Sequence, residues 1–445
     1  MQATLNSWKG WTLSILVALV PLSVSIDIRL KALPAAALFL AGLASIARFR
    51  QVRDSYRSAS SVVWAILAMT LFMIINATLH HSGWRPLDSP AHLLLYLVAA
   101  AAFALPLRMS LVWAGFSLTA ATLGLICVIQ FSVLDIDRPY GLNGGASASI
   151  ALATVLLGLS LLAMSQLFHS MACTAEKILH ATAVLLSLFG ALLTQSRGPL
   201  LAFLPMAVFL LFLQSWRTGR WRRSLLMVGG FCCLACVTAF VLHGSLLARF
   251  ESIRPEVATF EHHDQTPGAV RERLAMWRTA SHAFVEHPLT GIGPNQFEEY
   301  ARTEIQAGRS SPIIAGYNQP HNQYLQAASS GGIPGVLVLL LVFLVPLRYF
   351  ARHVRDSDDG VGLPAAAGMA VIGLYVLCAL TDSVFYRVMP QSFYFFTISG
   401  LALLIARRLN MRTDRPENAH WGRAHGGRLA LPNGTPPVIE QKQTD

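Results

Sequence analysis

Long apolar runs recur along the chain, separated by short polar connections. A bilayer core is crossed by about 20 apolar residues of helix, within a range near 17–25. On that ruler the sequence predicts twelve spans, at 11–26, 32–47, 62–79, 91–107, 110–132, 147–168, 178–195, 199–214, 225–243, 333–350, 364–380 and 389–406. The first run is followed almost at once by a second with no convincing cleavage site between them, so it reads as a retained span and not a signal peptide. The expected fold is an all-α polytopic membrane protein. Residues 1–243 hold spans one to nine, 244–332 form one long, partly helical outer loop, 333–406 hold spans ten to twelve, and 407–445 form a disordered cytoplasmic tail.

Composition supports that class. Of the 445 residues 54% are hydrophobic and 13% charged, and the mean hydropathy is +0.51, which excludes soluble globular, fibrous and disordered chains. The net charge of +11 invites a nucleic-acid reading. The basic residues argue against it: they sit in short clusters between spans, and no basic patch interleaved with aromatics appears.

Those clusters set the orientation. With the N-terminus inside, inner connections carry Arg48, Arg50, Arg53 and Arg57, then Arg217, Arg220, Arg222 and Arg223, then Arg348, Arg352 and Arg355, with Lys9, Arg108 and Lys177 besides. Short outer connections carry only Arg29, Lys31, Arg85, Arg138, Arg197 and Arg387. The positive-inside rule then puts both termini in the cytoplasm and the long loop in the periplasm.

Within the loop, Leu274, Trp277, Phe284 and Val285 recur at helix-like intervals, predicting an amphipathic helix over 270–286. HPLTGIGPN breaks it. A second helix is predicted over 295–307, with Asn295 as N-cap and Glu298 three residues on. Cys232, Cys233 and Cys236 have metal-like spacing but lie mid-span, where small apolar packing is the better reading. Glu261, His262, His263 and Asp264 read as solvated loop residues, and Asp135 and Asp137 form an Asp-x-Asp on an outer connection. No resident metal or cofactor is expected.

Three features suggest chemistry. Arg197 sits at the outer junction of two spans, where Gly198 and Pro199 interrupt the helix and leave backbone N–H groups beside a guanidinium, an arrangement suited to phosphate. Arg271 and Arg273 open the loop helix; two apart, they do not share a face. His321 precedes span ten among Asn322, Gln323 and Tyr324, and a histidine can take a proton from a hydroxyl near neutral pH. Asp382 and Arg387 flank the last outer connection and are placed to pair with each other.

Three pieces in order, SRGP at 196–199, RLAMWRTASHAFVEHPLTGIGPNQF at 273–297 and HNQYLQAASSGGIPG at 321–335, resemble the O-antigen ligase and polymerase superfamily. One departure is Ser330, where relatives often carry an acidic residue. The resemblance implies a metal-independent, inverting glycosyltransferase of the bacterial inner membrane acting on its periplasmic face. The donor would be undecaprenyl-diphosphate-linked O-antigen and the acceptor a sugar hydroxyl of lipid A-core, with membrane lipids as the surroundings. Arg197 and Arg273 would neutralise the diphosphate, His321 would be the base, and Arg271, Trp277, Asn322 and Tyr324 would contact substrate. An O-antigen polymerase or a protein O-oligosaccharyltransferase would use the same donor. A transporter or flippase, the reading from a different class, predicts ionisable residues mid-span, and the apolar cores are almost free of them.

Overall fold

A computed structural model of the chain describes residues 8–26, 32–142, 148–219 and 268–413, with a few more between 221 and 230. The bundle helices are α1 (Trp8–Val24), α2 (Ala32–Arg48), α4 (Ser60–Leu79), α5 (Asp88–Ala99, flanked by 3-10 turns), α6 (Met109–Ser132), α7 (Ser149–Gln166), α8 (Thr174–Leu193), α9 (Arg197–Thr218), α12 (Gln323–His353), α13 (Asp359–Cys378) and α14 (Val388–Thr413). A short helix, α3 (Arg50–Ser58), follows α2 at a bend of 99°. Among the described residues nine helices are long and apolar enough to cross a membrane, or ten if α2 and α3 form one broken span; α1 is apolar but shorter. Twelve were expected. The predicted ninth span, 225–243, falls almost wholly outside the described residues, as do Cys232, Cys233, Cys236, Glu261–Asp264 and the tail beyond Thr413.

The bundle is built round α7 and α14, which are apolar on every side and almost completely surrounded, as such helices must be. Small residues bring the outer helices close. A Cβ at Gly124 of α6 would strike the backbone of Leu186 and Ser187 on α8, and one at Gly190 would strike Gly124 in turn. Polar contacts gather at the two ends. At one, Arg217 Nη2 donates to Asp359 Oδ1 at 2.7 Å, Ser170 N and Oγ donate to Asp359 Oδ2, and Arg412 grips Asp356 and Asp358. At the other, Gln391 donates to Ser89 Oγ at 2.7 Å, and Gln195 Nε2 donates to the carbonyl of Asp137 at 2.9 Å. Connections that the span count assigns to one side meet at one end.

Over the second end lie α10 (Ala269–Glu286) and α11 (Phe297–Gln306). The long-loop helix forms where predicted, but on a different face. Ala275, Met276, Ala280 and Ala283 are buried, whereas Val285 is 74% exposed and Phe284 only half-buried. Small residues at this spacing let α10 sit close on Phe297, Ala301 and Ile314, so the larger apolar residues fall at its edge. Asn295 does not cap α11: it takes a left-handed φ of 61°, and Gln296 occupies the N-cap position without a side-chain bond. A clasp closes the layer. Glu304, its side chain 1% exposed, is gripped by Arg309 Nε and Nη2, while its carbonyl accepts from Arg309 N and Ser310 N.

The largest departure from a simple span is inside α12. Gly332 has φ 60° and ψ −154°, which separates a stub, 323–331, from the membrane-spanning remainder. The turn 288–294 docks on this break. Pro288 O accepts from Ile333 N at 2.7 Å, Ile292 N donates to Ser329 O at 2.8 Å, and Gly293 N donates to Ser330 O at 3.1 Å. The end of α4 holds the same place: Asn76 Nδ2 donates to Ser330 O at 2.9 Å, and His80 lies with one ring nitrogen on Asn76 O and the other on Gly291 O.

Two outcomes follow from these contacts. A Cβ at Gly332 would meet Pro288 O at 2.5 Å in a backbone region open essentially to glycine. Gly332→Ala should therefore cost about 1–3 kcal/mol and lower the melting temperature of the solubilised protein more than Gly308→Ala, which shares the left-handed φ but meets nothing. Equal shifts would mean that the docking contributes nothing. The second concerns pH. Hydrogen bonding from Arg309 holds the Glu304 carboxyl below its usual range against the opposing effect of burial, with His282 adding to it. A depressed folded value means that the clasp contributes fully above the ordinary carboxylate range and is lost as pH falls through the lowered value. Protection factors of the Arg309 and Ser310 amides should drop on acidification, and Glu304→Gln should show the low values already at neutral pH.

Candidate functional site

His321 stands one residue before the N-cap of the stub, in a left-handed conformation with φ 49°, which a histidine tolerates better than most side chains. Its pose is fixed from both sides. Asn322 caps the stub, its Oδ1 accepting from Tyr324 N and Leu325 N, and donates Nδ2 to Leu380 O at 3.1 Å. Gln323 N donates to Ala379 O, and Tyr324 donates its hydroxyl to Val376 O at 2.9 Å. The polar atoms of Asn322 and Tyr324 thus hold the stub to the end of α13, a structural task beside the substrate contact expected of them.

The imidazole partner is Asp382, in the turn after α13. His321 Nδ1 lies 2.9 Å from Asp382 Oδ1, with the carboxylate side chain 8% exposed and the imidazole 21% exposed. An ionised carboxylate only accepts, so Nδ1 carries the proton and Nε2 is left as the basic nitrogen. The expected pairing of Asp382 with Arg387 is thereby replaced. The junction carrying Arg197 reaches the same turn: a Cβ at Gly198 would run into Thr381, the neighbour of Asp382. Arg197 itself is exposed at the start of α9.

The arginine helix is keyed to the histidine through Tyr317. Tyr317 donates its hydroxyl to Glu272 Oε2 at 2.5 Å, and its ring meets the His321 ring edge-on at 5.9 Å between centroids. Burial first, and then the Glu272 carboxylate, push the Tyr317 hydroxyl up to about 12, so it remains a donor; Arg273 is near enough to oppose this slightly. Arg271 is buried and Arg273 half-buried on either side of Glu272, consistent with their lying on different faces. Trp277, Tyr317 and Leu325 each pack against the apolar layer, and Trp277 Nε1 is buried and unpartnered among the described residues. Gln319 Oε1 and Gln326 Oε1 are buried and unpartnered in the same way. Native proteins rarely leave such atoms orphaned, which makes each a candidate contact for water or a ligand.

The Asp-x-Asp connection belongs to the same end. Gln130 folds it by accepting from Tyr140 N and Gly141 N, and Gln195, with a left-handed φ of 56°, donates to the Asp137 carbonyl. Asp135 and Asp137 are both exposed, and no cluster of three or more potential metal ligands occurs among the described residues.

Sequence reasoning missed Asp382 as the partner of His321 and missed Tyr317 altogether. An acidic residue closing an otherwise apolar span was the available signal for the first. For the second there was only proximity to His321 in the chain.

Comparison with known proteins bears on the same stretch. An uncharacterized protein of Haemophilus influenzae is 18% identical over 304 residues, 67% of this chain and 74% of that one. Residues 182–340, from the middle of α8 through Arg197, α10, α11 and the His321 turn into α12, match the model of the O-antigen ligase family, and this stretch holds every site residue above except Asp382 and the Asp-x-Asp connection.

Proposed function

We propose that the chain is a metal-independent O-antigen ligase of the inner membrane. It would transfer O-antigen from undecaprenyl diphosphate to a sugar hydroxyl of lipid A-core on the periplasmic face, with inversion. The observation that carries this reading is the His321–Asp382 pair at a membrane-bundle end, with arginines at its side. Asp382 holds Nδ1–H, so Nε2 takes the proton of the acceptor hydroxyl as its oxygen bonds to the anomeric carbon. The anomeric C–O bond to phosphate breaks on the opposite face, and its electron pair leaves on undecaprenyl diphosphate. Arg197 and Arg273 neutralise that departing charge, supplying what a divalent ion supplies elsewhere. Arg271 is the second candidate on α10 for the same role.

Orientation is tested first. Gln306 is exposed on α11 and Cys173 is exposed before α8. Gln306→Cys should react with an impermeant maleimide in intact spheroplasts, and Cys173 only after lysis. The reverse order would put the site in the cytoplasm and remove the polyprenyl donor from the reading.

Transfer is tested with purified donor and lipid A-core. His321→Ala should retain donor binding and lose about 10²–10⁴-fold in turnover. Asp382→Asn keeps the shape but can present its amide N–H to Nδ1, favouring the wrong tautomer, so it should lose turnover by a comparable factor with little change in donor KM. Arg197→Lys and Arg273→Lys should each be impaired, and alanine more so by about 10–100-fold, because one charge-assisted bond is worth roughly 1.5–3 kcal/mol and lysine lacks the two-pronged grip. Normal transfer by Arg197→Ala at sub-saturating donor would misplace the phosphate site. In cells, loss of a ligase leaves lipid A-core without long chains. A core bearing a single repeat unit would make the enzyme a polymerase.

A further inference from the structure

A cavity of about 340 Å³ lies between α4, the start of α5, the stub and the turn before α14. It does not include His321, yet it borders the helix that His321 begins. Gln323, Gln326, Ala327 and Ser330 of the stub line it. Their spacing of three, four and seven residues puts them on one helix face. Leu325, on another face, packs with Trp277 and Tyr317 in the layer built on α10. The stub is therefore a partition with α10 and its arginines on one side, the cavity on the other, and the imidazole at its tip.

The two sides differ in chemistry. The arginine side suits a diphosphate. The cavity's outer end is made mainly of amides, Asn76, Asn295, Gln323, Gln326 and Gln391, with Arg85 and Asp88 offsetting each other in charge. Amides both donate and accept, which matches the hydroxyls of sugars better than phosphate. Several have a free end: Gln323 Oε1 accepts from Phe385 N, leaving its NH₂, and Gln326 Oε1 is one of the orphaned buried acceptors. Farther along α4 and beyond the Gly332 break the lining turns apolar, with Met69, Phe72, Val338 and Leu339. From Asn76 back to Met69 is about 10 Å of helix rise, so the change from amide to apolar runs inward from the membrane surface.

We propose that this cavity is the acceptor compartment. It binds an amphiphilic glycolipid, its sugar hydroxyls against the amides and its apolar body against Met69 and Phe72, and presents one hydroxyl to His321 from the face of the stub opposite the donor. The inference rests on the transferase reading for its use but not for the binding itself. Separate compartments keep the attacking hydroxyl and the leaving diphosphate on opposite sides of the anomeric carbon, as inversion needs.

The test places a single cysteine in the cavity, Met73→Cys, with every native cysteine replaced by alanine, and follows maleimide labelling in phospholipid nanodiscs. Added lipid A-core should slow labelling several-fold, and undecaprenyl diphosphate should not. Protection by undecaprenyl diphosphate and not by lipid A-core would make the cavity a donor chamber and overturn the proposal. Labelling unaffected by the glycolipid would overturn it as well. In turnover, Gln326→Leu, which removes one or two hydrogen bonds, and Ala327→Leu, which fills space in the cavity, should each raise the KM for acceptor by about 10-fold, with the KM for donor unchanged. An unchanged acceptor KM counts against the cavity. Glycolipid protection in a wild-type background that transfers no sugar would support the binding site and refute the ligase reading, so the two can fail separately.

Discussion

The break at Gly332 is the constraint on which the outer surface depends. Without it α12 would continue as one apolar rod, and its polar first turns would have no separate support. With it, the stub turns onto the turn 288–294, and three backbone bonds plus Asn76 satisfy the groups that a broken helix exposes. Within a bilayer an interrupted helix is tolerable only where other protein groups meet the freed donors and acceptors. The run of small residues Ser329–Gly332 and the glycines of the turn 288–294 are two halves of that one solution. A Cβ at Gly291 would strike the backbone of Ser330 and Gly331, so the close approach is built on glycine from both sides.

The placement of the stub accounts for the site. Its N-terminus is pinned to the end of α13 by Asn322, Gln323 and Tyr324, which brings the imidazole to Asp382. Its Leu325 packs against the apolar layer built on α10 and α11, as Trp277 and Tyr317 do. The proposed base, its carboxylate partner and the phosphate-binding candidates thus sit on elements that are far apart in sequence but rigidly packed. Rigid support matters because an oriented imidazole keeps the free Nε2 aimed without reorganisation during the reaction.

The sequence carried most of the spans among the described residues, but not how the candidate site residues pair. Span positions were legible because a bilayer imposes a length and an apolar composition on each helix. The α10 helix was legible to within a residue at its start, yet not its buried face, since close packing on Phe297 and Ile314 selects alanines over larger residues. Asn295 looked like a cap, but the docking of the turn 288–294 sets its backbone in the left-handed region, where it cannot cap. Asp382 could not be matched to His321 from sequence, because the contact spans 61 residues and exists only when α12 and α13 are laid side by side. Its sequence neighbour Arg387 was the obvious partner, and proximity in sequence was the wrong guide.

The arrangement also separates charge by purpose. At the end carrying Arg217 and Arg412, acids and bases neutralise one another in Asp359, Asp356 and Asp358, and the result is a bracket that ties α9, α13 and α14 together. Beside His321 itself, two carboxylates are engaged by an imidazole and a hydroxyl and not by arginines: Asp382 by His321 and Glu272 by Tyr317. Tyr317 takes Glu272, the acid that lies between Arg271 and Arg273 in sequence, into a bond that is not an arginine salt bridge. An acid paired tightly with either guanidinium would occupy the donors that an anionic ligand needs. Holding that acid with a hydroxyl instead keeps Glu272 out of a salt bridge with Arg273, beside a proposed base whose proton position is set by a separate carboxylate. The imidazole and the acid between the arginines thus have separate partners, which would let a base and its neighbouring cations be set independently in the proposed transfer.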